Sequence, residues 1–328
     1  MVPRARLELA RISPLAPKTS VATNYTTSAN FQKKNSKNEF NELSKFCLAR
    51  RKMFQKKCKS NNVRNLLDQQ SVVLLSKALD ISKLKTIATA AECCFANIEN
   101  LIKQHGANRV KDYLPDKYRY LERSTSLSPI ALDDYQKAGE KENIFEIFTN
   151  SIGMPLIIEM LGVEIVCNLT RSRITKQYAL ENYHTLHTPN SWHQDGALGV
   201  AFPTKDSLEK SKFFRANMTE MIICWIPLVD CFGDCPCMQL IKKPLQQLLH
   251  FDYLNDGELK KIFEPNDFWV PELKFGDMLI FLNGTLHQTF VNDSMKNNRT
   301  SIELRFMNPS KIPDWMKNDL FLPISGNN

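Results

Sequence analysis

Residues 299–307 read RTSIELRFM. Ile302, Leu304 and Phe306 fall on one face of an extended chain, and Ser301, Glu303 and Arg305 on the other. That period of two predicts a strand with one apolar face. Working outward, KFGDMLIFL (274–282) opens on a Gly-Asp turn and enters a second strand. TEMIICWIPLVD (219–230) is apolar on both faces, as a buried strand would be. GVEIVCNL (162–169) and SRITKQYALENYHTL (172–186) are short runs rich in Val, Ile, Thr and Tyr.

Upstream the texture is helical. Leu66, Leu67, Val72, Val73, Leu74, Leu75 and Leu79 give apolar pairs and runs at helical spacing. Ile87, Ala90, Cys94, Phe95, Ile98 and Ile102 repeat this over residues 84–104, with Gly106 placed as a C-cap. Residues 142–161 predict two short helices interrupted near Gly153 and Pro155, and residues 244–263 a helical insert. Residues 107–140 read as loop-rich. Helices first and many short strands after them predict an α+β chain built on a β-sandwich or jelly roll. The expected organisation is a basic, disordered tail over residues 1–60 and one domain over 61–328. That domain has a helical part (61–161) and a β core (162–308).

The net charge of +8 does not imply a nucleic-acid surface. Residues 1–60 carry +11, so the remaining 268 residues carry −3. A polyanion-binding tail is the one nucleic-acid reading left open. Residues 1–29 resemble the conceptual reverse-strand translation of a bacterial leucine tRNA gene. A bacterial source and a later start, at Met53, are therefore expected; a targeting peptide is the alternative. No run of about 18 apolar residues predicts a membrane span. Nine cysteines in a chain of this length are expected to be reduced thiols in a cytoplasmic protein.

The chemistry lies in SWHQDG (191–196). On a strand, His193 and Asp195 share a face while Gln194 points away. His287, at the end of MLIFLNGTLHQT, is the best third partner. Two histidines and one carboxylate on one face of a metal leave three positions open, the facial arrangement of non-haem Fe(II) oxygenases. A closed four-ligand zinc site would leave none. Arg299, 12 residues after His287, offers a planar cation for the distal carboxylate of a cosubstrate, and Arg305 is a competing anchor on the same face. Glu303 and Arg305 could instead pair with each other, or hint at a polar substrate.

At these positions the chain resembles a known family. WHQDG, CWIPLVD, FGDMLIF, LHQT and NRTSIELRF resemble, in order, the phytanoyl-CoA dioxygenase-like family of Fe(II)/2-oxoglutarate-dependent oxygenases, over roughly residues 140–308. The resemblance implies a cupin-like double-stranded β-helix with helices packed outside. It implies His193, Asp195 and His287 as iron ligands and Arg299 as the partner of the 2-oxoglutarate 5-carboxylate. Thr289 matches a hydroxyl position near that carboxylate, and Trp225 a residue lining the cosubstrate pocket. It implies O₂ and a small-molecule substrate as partners, with succinate and CO₂ released. The family often carries a Pro-Gly-Ser-His stretch after the Trp strand; here the region reads CPCMQLIKKP, which argues against phytanoyl-CoA itself. The carboxylate ligand is present as Asp195, which favours hydroxylation over halogenation. A non-catalytic metal- or ligand-binding jelly roll is the rival reading.

Other groups have blander expectations. Cys231, Cys235 and Cys237 lack a second C-x-x-C pair and are expected to be buried or loop thiols and not a zinc site. Cys93 and Cys94 are expected in the core. His184 and His187 are expected near the pocket mouth without ligating, and Trp192 is expected to pack behind the metal.

Overall fold

The computed structural model describes residues 60–106, 109, 113, 125–134, 136, 142–180, 189–208 and 211–324. The basic tail and residues 181–188, with His184 and His187, lie outside the described residues.

Helix α1 (Ser60–Gln70) leads into strand β1 (Val72–Leu75), and Leu79 lies just beyond. The run Val72–Leu75 is therefore extended and not helical. Two β-branched residues begin it, and Ser71 before it breaks the helix with a positive φ of 58°. Helix α2 (Ile81–His105) starts at Asp80, whose carboxylate accepts from Ser82 N and Lys83 N, and stops at Gly106 with φ 81°. Helices α3 (Ile144–Thr149) and α4 (Met154–Leu161) are separated by residues 150–153, with Gly153 as the N-cap of α4 and Pro155 in its first turn, near where the sequence predicts an interruption.

The principal sheet has the order β1, β10 (Met278–Leu282), β6 (Ile222–Pro227), β12 (Arg299–Met307), β3 (Val166–Asn168), β13 (Phe321–Pro323). Strands β4 (Arg173–Gln177) and β2 (Thr125–Leu127) extend it beside the first half of β12. The facing sheet has the order β11 (His287–Phe290), β7 (Cys237–Ile241), β9 (Phe268–Trp269). All these pairings are antiparallel. The two sheets form a double-stranded β-helix with helices on its outside, an α+β architecture. The expected insert at 244–263 contributes a 3-10 turn (Phe251–Tyr253), one short helix, α5 (Asp256–Leu259), and one strand of a two-strand ribbon, β8 (Leu248–Leu249), paired with β5 (Phe213–Phe214).

Two apolar layers hold this together. Outside the principal sheet, Ile87, Phe95 and Ile98 of α2 and Phe148 of α3 pack on a sheet face formed by Ile222, Cys224, Ile226, Ile280, Ile302, Leu304 and Phe306. Phe306 stacks on Phe148 with ring centroids 4.5 Å apart. Of the adjacent cysteines on α2, Cys94 is buried in this layer and Cys93 is exposed, against expectation; neighbouring helix positions cannot both face the sheet. Between the sheets, Ile223, Trp225, Met238, Leu240, Leu279 and Phe281 form the inner layer. No described helix is long and apolar enough to cross a membrane.

Replacing Phe306 by alanine removes the ring that joins helix layer to sheet. It is expected to cost about 3–5 kcal/mol in urea unfolding. A loss under about 1 kcal/mol would show that the layer is held elsewhere.

Candidate metal centre

His193 and His287 are placed by the main chain. They form an isolated antiparallel bridge in which each N–H donates to the other's carbonyl, both at 3.0 Å. The Nδ1–H of His193 donates to Ser191 O (2.6 Å), and that of His287 to Thr285 O (2.9 Å). A carbonyl can only accept, so each Nδ1 carries a proton and Nε2 is the nitrogen left to ligate. His287 Nε2 is buried without a hydrogen-bond partner and lies 4.0 Å from Asp195 Oδ2. Ligand atoms of His193, Asp195 and His287 all lie within 4.8 Å of one another, the one such grouping found among the described residues.

The local backbone differs from the strand the spacing suggests. His193 makes a single bridge, and Asp195 opens a 3-10 turn, Asp195–Ala197. Gln194 still turns away, and it straps the loop in place. Its amide donates to Gly284 O (2.8 Å) and Gln247 O (3.1 Å), and its carbonyl accepts from Leu249 N (2.8 Å). Gly196 sits in a tight space: an added Cβ would lie 3.1 Å from both Asn283 O and Met218 Cβ. Trp192 packs behind the group, with its Nε1–H on Asp256 Oδ1 (2.6 Å).

Arg305 reaches the group from β12. Its Nη2 lies 3.1 and 3.3 Å from the two Asp195 oxygens, and it also pairs with Glu303 and donates to Arg171 O. Burial alone would raise the Asp195 carboxyl; Arg305, His287 and His193 outweigh it and hold the group below its ordinary range. Burial, reinforced by His193, pushes His287 down to about 3, so it is neutral and able to ligate at ordinary pH. The Arg305–Glu303 pair answers a question left open by the sequence. The two side chains pair with each other, with Arg305 buried and Glu303 partly exposed.

Arg299 is different. It is 3% exposed, and its Nε and Nη1 have no hydrogen-bond partner. Its guanidinium lies 5.1 Å from the centre of the Trp225 ring. Burial pushes its pKa below the ordinary value, with Cys231, Cys237 and Cys235 opposing in part. Those three thiols are buried, and each donates to a main-chain carbonyl: Val229, Asn298 and Pro271 respectively for Cys231, Cys235 and Cys237. Thr289 lies two residues after His287 on β11 and is buried on the same face.

Removing Arg305 strands the Asp195 charge. Arg305→Leu is expected to cost the metal-free protein about 3–5 kcal/mol in urea unfolding, and adding Asp195→Asn to recover part of it. No recovery in the double variant would show that Arg305 acts through packing alone. A second expectation concerns acid. The His287 pKa is lower folded than its ordinary 6.5, so the unfolded chain takes up the proton first. Stability of the metal-free protein is therefore kept above about pH 6.5 and lost as the pH falls toward 3. His287→Leu should flatten that decline in pH-dependent unfolding; an unchanged slope would assign it to other groups.

No family model and no curated protein matches the chain. Solved structures similar to it include the non-haem alpha ketoglutarate dependent epimerase SnoN from nogalamycin biosynthesis, at 13% identity and TM-score 0.46, covering 76% of this chain and 83% of that one. The non-haem monooxygenase ThoJ in its apo form is similar at 12% identity and TM-score 0.49, covering 81% and 84%. EctD from S. alaskensis, with 2-oxoglutarate and 5-hydroxyectoine, is similar at 13% identity and TM-score 0.48, covering 76% of each chain.

Proposed function

We propose that this protein is an Fe(II)- and 2-oxoglutarate-dependent oxygenase of the phytanoyl-CoA dioxygenase-like type that hydroxylates a small molecule. The observation that carries the reading is a buried guanidinium, Arg299, whose Nε and Nη1 have no hydrogen-bond partner among the described residues, on the inner wall of a β-helix that also holds a three-ligand group. An unpaired buried charge costs several kcal/mol. A bound anion removes that cost, and a three-ligand group leaves room for a chelating one.

The residues fit the cofactors. His287 Nε2 is an unsatisfied buried acceptor, His193 presents its own Nε2, and Asp195 is ionised. These three would hold Fe(II), and Arg299 would hold the distal carboxylate of 2-oxoglutarate over the Trp225 face, with Thr289 adding a hydroxyl. Bound there, Fe(II) and 2-oxoglutarate supply oxidation of a C–H bond by O₂, with release of succinate and CO₂. The chain's own contribution is orientation. The main-chain bridge sets the two imidazoles, Arg305 fixes the carboxylate, and the apolar inner layer keeps bulk water away.

Anaerobic titration with Fe(II) and 2-oxoglutarate tests this through the weak visible charge-transfer band of the chelate. The band is expected in wild type and absent in Asp195→Ala. Arg299→Gln is expected to weaken 2-oxoglutarate by about 30-fold or more. A folded wild-type protein with no band would retire the oxygenase reading in favour of a non-catalytic jelly roll.

A further inference from the structure

Arg173 lies on β4 directly across from Glu303 of β12. Ile174 next to it is buried in the outer layer against the helices, so Arg173 belongs to the inner face. Its position is where a cross-strand ion pair with Glu303 would form. Glu303 turns instead to Arg305. Arg171, nearby, is held by Asp319 at 3.0 Å and lies over the Trp315 ring at 5.2 Å. Arg173 is half-buried and makes no ion pair or hydrogen bond among the described residues. Burial and the nearby Arg305 push its pKa below the ordinary value, with Glu303 and Asp195 opposing in part, which puts it within electrostatic reach of the metal group.

The formal charges agree. Arg173, Arg299 and Arg305 face Asp195 and Glu303 on this wall, a surplus of one positive charge. Fe(II) would add two positive charges and 2-oxoglutarate two negative ones, so loading the site leaves the surplus in place. Arg305 is engaged by two carboxylates, and Arg299 is assigned to the cosubstrate. Of these three arginines, Arg173 is the one left over. The hydroxyls of Thr175 and Ser126, 3.1 Å apart, continue the polar strip on adjoining strands.

We propose that Arg173 is a substrate-binding residue and that the substrate is a carboxylic acid whose carboxylate pairs with its guanidinium. A planar fork matched to a planar carboxylate fixes direction as well as position, so the rest of the substrate is held against the metal group. The proposal rests on the oxygenase reading and narrows it to a substrate class.

The test uses the full chain loaded anaerobically with Fe(II) and 2-oxoglutarate. The probes are amino, hydroxy and aryl carboxylic acids, each beside its own primary amide. Two signals are followed: perturbation of the chelate band, and succinate release once O₂ is admitted. Acids are expected to act where their amides do not. Arg173→Gln is expected to raise the half-saturating acid concentration by about 30-fold or more, and Arg173→Lys by less. The proposal is overturned if amides match acids, if no acid in the set acts, or if folded Arg173→Gln responds as wild type does. A missing chelate band in wild type is a different failure, since it removes the oxygenase reading and this proposal with it.

Discussion

The alternation of β12 is the constraint on which the rest depends. Ile302, Leu304 and Phe306 are fully buried against the helices, while Arg299, Ser301, Glu303 and Arg305 line the inner wall. A slip of one residue would drive two arginines and a glutamate into the helix layer and put apolar side chains at the metal group. The register is held from both edges. Strand β6 pairs along Ser301–Phe306, and β4 and β3 share the opposite edge. Thr300 adds a contact outward to Glu92 of α2. One strand thus seals a core and presents a charged site.

Much of this is legible in the sequence because it follows from period alone. The faces of β12, the stop at Gly106 and the break near Gly153 and Pro155 need only local rules. The meeting of His193, Asp195 and His287 follows from motif spacing, although the Asp195 turn does not. What escapes is set by distant partners. Val72–Leu75 resembles a helical run until β10 is available to pair with it. Gln194 can be seen to turn away, but its strap depends on segments 53 to 90 residues further along. Nothing in the sequence marks Arg173, because its significance lies in where Glu303 points.

The arginines on this wall show why pairing matters more than position. Arg299 and Arg305 share a strand and a face, and the sequence favours Arg299 as the anchor only for its proximity to His287. Arg305 has its charge balanced within the chain, by Asp195 and Glu303, and so has little to gain from a further anion. Arg299 has no such partner. Burial of Arg305 with Asp195 stabilises the ionised carboxylate that a metal requires. Burial of Arg299 with Nε and Nη1 unpaired leaves the folded chain carrying a cost that a bound anion would relieve. The placement of two carboxylates thus pairs one arginine within the chain and leaves the proposed receptor role to the other. The same logic extends to Arg173: once Glu303 is committed to Arg305, the cation across the ladder from it is left for something outside the chain.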